Sequence, residues 1–512
     1  MKKVITLTLS CLLFISLSVC NLAMTDVHAE GKDTVYIGVD GDCGSLDPYV
    51  VSGNFLNVMN AYSEPLWEYN GTTEGFASRF ILAESVDTIS DTEYIIHLRQ
   101  GVTFSNGSPF DAKDVLFSLQ KTLELRPFYI PAFDVENTFA EDDYTVHLFM
   151  KYYDKTAMTA FLNIPILDAE TYDPDTSGTN PIGTGPYVVT DYVVNSSVTL
   201  TARDDYWGGE PPIKTVVYKN IPESSQKVNA LETGEIDVLM KVPNEDIEYV
   251  MNMPGKDVIQ RATVDQVMIT INGCKGSPFE TKEARWALAY AINREGVVAV
   301  ALNGNGTVAQ APFSSGCSDF SEDIANMHDT YATGYNLELA KKYAEESGLV
   351  GKTVRLVTNG SDVYVTTAQI IEQALKEIGV DAHVENFDQA TVRNMIAGEE
   401  GWEVYVSWTS NPSGLGSDMI CAQISKFNRS HFDWDEESFA LLNDMGMGAL
   451  ATSDPEEYQK LLKEYLEVFE DYCYVFGIAD VNVTNAFTEG LTGLSTEGFS
   501  ALEHVQDWHF VD

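Results

Sequence analysis

NPIGTGPYVVTDYVVNSSVTLTARDDYWGGEPPIKTVVYKNIPESSQKVNALETGEIDVL, residues 180–239, is the stretch from which the fold is read. It opens on Pro181-Ile182-Gly183-Thr184-Gly185-Pro186. Proline fixes φ and glycine reaches angles other residues avoid, so this is a rigid loop that launches a strand. Tyr187–Tyr192 and Ser197–Ala202 carry β-formers at the spacing of a hairpin. Arg203-Asp204-Asp205-Tyr206-Trp207-Gly208-Gly209 is a second turn, with two aromatics. A third strand over Thr215–Tyr218 leads into a helix over Ser224–Glu232, which Gly234 stops. Ile236–Met240 reads as a further short strand.

Around this stretch lie 512 residues, 44% hydrophobic and 21% charged, which predicts a globular protein of two or more domains. A net charge of −46 excludes a nucleic-acid partner, since phosphate needs a Lys/Arg surface. The acid excess reads as solubility, with a cation-attracting cleft as the alternative. Lys2 and Lys3, the apolar run Val4–Val19 and the small-residue pattern Val27-His28-Ala29 read as an export signal. Leu17-Ser18-Val19-Cys20 is an imperfect lipobox, so cleavage after Ala29 and lipid anchoring at Cys20 both stand. No later run approaches the ~20 apolar residues of a membrane span. Cleavage after Ala29 leaves Cys43, Cys274, Cys317, Cys421 and Cys473, an odd number with no CxxC and hence no zinc or redox motif.

Upstream, Thr34–Val39 alternates as a strand and runs into the loop Asp40–Ser45. Asn54–Tyr62 is helical, Ala83–Leu98 forms strands, and Asp111 N-caps a helix over Ala112–Leu125. Pro127-Phe128-Tyr129-Ile130-Pro131 holds aromatics stiffly, which makes Tyr129 a candidate ligand contact. Downstream, Val258–Asn272 reads as two strands. A helix is expected from Lys282 to about Leu302, with Arg285 and Arg294 as surface or structural charges. The β-α-β order over Lys352–Glu385 argues for a second α/β lobe. Val404–Trp408 is a strand opening onto Thr409-Ser410-Asn411-Pro412-Ser413-Gly414, the best candidate for a ligand wall on that lobe. Pro455–Glu470 is a long helix, followed by a strand over Tyr472–Phe487.

Catalytic motifs are missing: there is no HExxH, no GxSxG and no P-loop. The eight histidines are scattered, and His431-Phe432-Asp433-Trp434-Asp435 reads as a solvated turn, so no metal and no cofactor is expected.

GTGPY, DYWGG and LETGEID stand in one order with SLDPY (45–49), EPLWEYN (64–70), YIIHLRQGVTFSNGSPFDAKDVLFSL (94–119) and KEARWALAYAINREGVV (282–298). In that order the words resemble the extracellular solute-binding proteins of ABC importers, the large peptide- and nickel-binding class, over nearly all of the mature chain. The resemblance implies an α/β, two-lobed periplasmic-binding-protein fold of class II, enlarged by an extra sub-lobe, with hinge strands between the lobes. It divides the chain into a signal peptide (1–29), lobe I (30–268 and 480–512, with a sub-lobe at about 61–180) and lobe II (269–479). It implies capture of a peptide or peptide-sized solute by hinge closure and delivery to separate ABC permease subunits. The protein would be an exported monomer at the cell surface or in the periplasm, and not an enzyme. A secreted acidic hydrolase is the other reading.

The implied ligand contacts are Gly41, Asp42 and Cys43 after the first strand, Tyr129, and Trp408, Thr409, Ser410 and Asn411. Dipeptide-binding members place an aspartate three residues after the cleft tryptophan, where this chain has Asn411. They also place an arginine at the start of the helix that here begins near Tyr364, where Val365 and Thr366 align. The resemblance therefore implies that free dipeptides bind poorly.

Overall fold

The computed structural model describes residues 32–39, 41–50, 55–68, 77–327, 334–409, 414–417, 431, 436–472, 475–496 and 503–511. Cys20, Ala29, Ser410, Asn411, Cys421 and Cys473 lie outside them.

Tyr187–Val193 and Ser197–Ala202 form the antiparallel hairpin, and Thr215–Asn220 pairs with its second strand. The helix Ser224–Thr233 ends at Gly234, whose φ of +76° costs glycine nothing. Close packing dictates the glycines of GTGP. A Cβ on Gly183 would stand 2.0 Å from the Tyr62 carbonyl oxygen, and one on Gly185 would stand 2.5 Å from the Tyr62 carbonyl carbon. Arg203 is buried and donates to the carbonyls of Thr184 and Gly185, and across to those of Thr103 and Phe104. Buried Glu64 accepts from the Tyr206 hydroxyl (2.6 Å) and the Trp207 indole (3.0 Å). The words EPLW, GTGP and DYWGG are thus one junction, joined through Tyr62, Glu64 and Arg203.

This junction fastens two cores together. Leu66–Ile166 contributes a core of its own around a four-stranded antiparallel sheet. Its order is Ala83–Ser90, Glu93–Leu98, Thr145–Phe149, Phe139–Asp142. The helix Ala112–Leu125 packs Ala112, Val115 and Leu119 into that core. Asp111 accepts from Lys113 N, while Asp114 accepts from Asp111 N, so two donors at the helix start are satisfied reciprocally. The second core gathers Val35, Ile37, Tyr62, Tyr187, Leu200, Val216 and Trp508.

One eleven-stranded sheet runs the length of the molecule. From one edge its order is Asp381–Asn386, Thr353–Thr358, Val404–Thr409, Lys256–Ile271, Val475–Thr488, Val238–Leu239, Thr34–Val39, Thr215–Asn220, Ser197–Ala202, Tyr187–Val193. Gly306–Val308 pairs with Val475–Thr488 off this path. Lys256–Ile271 and Val475–Thr488 belong to both halves and join the two lobes of the mixed α/β fold. A third core, built on Val267, Leu288, Leu356, Ile371 and Val404, fills the second lobe.

Two expectations need correction. Val258–Asn272 is not two strands but part of one, Lys256–Ile271, because residues 263–265 form a bulge rather than a turn. The helix expected from Lys282 to Leu302 is two, Lys282–Ala291 and Arg294–Ala301. Asn293 takes an extended backbone and caps the second helix by accepting from Gly296 N, which ends the first. Arg285 and Arg294 are buried: Arg285 donates to the carbonyls of Tyr472, Phe279 and Glu280, and Arg294 to that of Gly477.

Candidate functional site

Strand direction locates the site. Lys256–Ile271 runs from the first lobe into the second, and Val475–Thr488 returns antiparallel to it. Val238–Leu239 is antiparallel to the return strand and parallel to Thr34–Val39, which is parallel to Thr215–Asn220. These three therefore point their carboxyl ends at the second lobe. Val404–Thr409 is antiparallel to Lys256–Ile271, and Thr353–Thr358 and Asp381–Asn386 run parallel with it, so all three point back at the first lobe. Both sets of carboxyl ends converge on the crossing. In open α/β sheets that is where ligands bind.

The crossing itself is irregular and polar. Ladder pairing breaks between Ala262↔Asn482 and Gln266↔Asp480, leaving residues 263–265 opposite Val481 alone. Thr263 donates from its hydroxyl to the Val481 carbonyl. The buried Asp480 carboxylate accepts from Gln266 (2.7 Å) and from the Ser315 amide and hydroxyl. Burial pushes this carboxyl up from its usual value, and those donors only partly offset it. Ser314 donates to the Thr263 carbonyl, so the segment after Gly306–Val308 is laced to both crossing strands. None of these residues was singled out in the sequence. Short polar side chains in β-rich stretches carry no local signal of a hinge.

Of the expected contacts, those among the described residues fall in both lobes. Gly41, Asp42 and Cys43 follow the carboxyl end of Thr34–Val39. Asp42 accepts from the Tyr192 hydroxyl (2.8 Å) and from Gly44 N. Cys43 turns its thiol into the first-lobe core, and burial pushes its pKa up to about 12. Its side chain is thus an inert core group in this conformation, and the Asp42 carboxylate is the more accessible of the two. Tyr129 ends the short helix Pro127–Tyr129 and packs against the sub-lobe core, with the Arg126 guanidinium 6.0 Å from its ring centre. Trp408 shares a strand face with buried Val404 and Val406 but lies past the core and is 48% exposed. Thr409, on the opposite face beside Gln266, is buried, and its hydroxyl has no partner among the described residues. Trp408 and Thr409 line a niche with Met268, Trp402, Tyr405 and Ser407. Among the described residues, no group of three or more His, Cys, Asp or Glu could hold a metal ion.

Residues 81–428 match the model of the bacterial extracellular solute-binding proteins, family 5. The chain belongs to that family. Across its length the solute-binding protein is 27% identical over 474 residues to the oligopeptide-binding protein AppA of Bacillus subtilis, covering 85% of this chain and 84% of that one. It is 24% identical over 496 residues to heme-binding protein A of Haemophilus influenzae, covering 86% of each. The solved structure of the Bacillus subtilis AppA protein with a nonapeptide superposes with a TM-score of 0.80 at 22% identity. The match covers 94% of this chain and 99% of that one. Among the described residues no helix of the solute-binding protein is long and apolar enough to cross a membrane.

Proposed function

We propose that the protein captures a peptide-sized solute outside the cell by closing two lobes about the crossing at Ala262–Gln266 and Asp480–Asn482, and presents it to a membrane permease. The observation that carries this reading is the convergence of both lobes' strand ends on one break in the two crossing strands. A ligand touching both walls favours the closed form by its differential contacts there. We divide the lobes at this break, near residues 268 and 480, with the Leu66–Ile166 core as the sub-lobe, and place the export signal in the first 29 residues. Gly41, Asp42 and Tyr129 on one wall and Trp408, Thr409, Ser410 and Asn411 on the other are the contacts. We expect binding without turnover, a reading supported by relatives named as binding proteins.

The names of the oligopeptide- and heme-binding relatives support a solute of peptide size. Within that range, a free dipeptide is disfavoured by Asn411: an amide accepts a hydrogen bond but cannot neutralise an ammonium. Calorimetry with a mixed dipeptide pool is expected to show no micromolar binding, whereas peptides of four or more residues bind. Micromolar dipeptide binding contradicts the assignment at Asn411. Chemical conversion of the bound solute contradicts the proposal as a whole.

A further inference from the structure

Lys155 belongs to the sub-lobe, yet its amide and its ammonium both face the second lobe. The amide donates to the Leu450 carbonyl (2.9 Å), and the ammonium lies 4.6 Å from the centre of the Tyr458 ring. Asp154 fixes this turn by accepting from the Thr156 amide and hydroxyl. Leu162, in the short helix Ala157–Asn163 that follows, packs against the cluster of Leu442, Leu450, Tyr458 and Leu462. Leu450 ends the helix Glu436–Leu450. The last carbonyls of a helix have no partner within it, so an amide from the sub-lobe completes that end, and a cation there suits the helix dipole. Tyr458 is buried and fixed in its turn: its hydroxyl donates to Asp319 (2.8 Å), whose carboxylate also accepts from Gly416 N and Ser417 N. Those two residues follow the proposed solute contacts Thr409–Asn411 in the chain.

The junction at Tyr62, Glu64 and Arg203 makes the sub-lobe move with the first lobe, whereas Leu450 and Tyr458 stand in the second. Rotation about the crossing at Ala262–Gln266 therefore has to make or break the Lys155 contact. Each part of that contact is weak by itself: one amide bond, one cation on an aromatic face, one leucine on an apolar cluster. Weak parts suit a device that must reopen. We propose that Lys155 and Leu162 form a catch that engages as the lobes close and holds the closed form without touching the solute. This rests on the hinge-closure reading above and deepens it. A catch of this kind acts on every solute alike, because apparent affinity scales with the share of molecules in the binding-competent form. A residue that lines the cleft discriminates among solutes instead.

Wild type, Lys155→Glu, Lys155→Met and Leu162→Ala, each stripped of bound solute, decide it. Calorimetry and release rates are measured with a pool of random tetrapeptides and a pool of random nonapeptides, and the radius of gyration of each unliganded protein by small-angle scattering. Lys155→Glu sets a negative charge on the Tyr458 ring face and at a helix carboxyl end. It is expected to weaken both pools by one common factor, about three- to tenfold. The loss should come through faster release, with association changed by less than about twofold. Lys155→Met and Leu162→Ala should show smaller losses, again equal for the two pools. If Lys155→Glu does not fold, Lys155→Met is judged by the same criteria. Losses that differ between the pools mark a solute contact and overturn the catch. Wild-type affinity for both pools in the variants overturns it too, including the case of a lowered urea midpoint, which marks a purely structural lysine. If neither pool binds wild type, peptide capture fails and the unliganded radius decides: a larger radius in Lys155→Glu upholds the catch, and an unchanged one overturns it.

Discussion

Trp408 and Gly185 show two ways a single residue matters here. Trp408 is half exposed at the end of a strand whose other apolar residues on that face are buried, so the core does not need it. Trp408→Ala is expected to change unfolding free energy by less than about 1 kcal/mol. Solute binding should weaken by about 2 kcal/mol or more, because the proposed contact loses a broad ring and its N–H donor. Calorimetry beside a urea melt checks both, and unchanged affinity in a folded variant refutes the contact. Gly185 is the opposite case. The Cβ of Gly185→Ala would meet Tyr62 backbone, which cannot swing aside. We expect a loss of about 3 kcal/mol in urea unfolding, with the sub-lobe junction as the region that opens first in hydrogen exchange. The glycines, the Asp111 cap and the Gly234 stop were legible because each answers a local backbone demand. The burial of Cys43 and the contact of Lys155 with the second lobe were not, because both depend on what the rest of the chain brings near them.

At the scale of elements, the carboxyl-terminal segment is tied to the sub-lobe. His504 stands 3.2 Å from Glu68, with Arg79 and Asp507 also nearby. Burial by itself would push the His504 imidazole down, but the hydrogen bond and charge of Glu68 outweigh it and hold the pKa above the usual value. The folded value therefore exceeds the unfolded one. The stability this pair supplies is full below the ordinary histidine pKa of about 6.5 and fades as pH rises through the folded value. Melting temperatures of wild type and His504→Gln should differ most near pH 5 and converge in mildly alkaline solution. A gap that widens with pH would show that the pair does not act as an ion pair. Elements with strong periodicity or caps were legible in the chain, among them the hairpin at 187–202 and the helix at 112–125. The single crossing strand and the helix break at Asn293 were not. A bulge has no glycine or proline to announce it, and an asparagine inside an apolar-periodic run reads as helix until its capping role is seen.

For the whole molecule, the order of seven sequence words was enough to anticipate two lobes and a hinge. The junction of Glu64, Arg203 and Tyr62 shows what three of them do together: they hold the sub-lobe on the first lobe. The solute is less legible, since the sequence Ser410-Asn411-Pro412-Ser413 carries no charge that would name its partner. The proposed closure, in contrast, can be measured before the specificity is understood. A true solute at a hundredfold excess over Kd adds about 2.7 kcal/mol to stability by mass action alone, so a rise in melting temperature does not by itself show closure. Small-angle scattering does. The solute recovered with the protein is identified by mass spectrometry, removed, and added back to saturation. The radius of gyration is then expected to fall as the lobes close over the crossing at Ala262–Gln266. An unchanged radius at calorimetrically proven saturation would contradict capture by hinge closure.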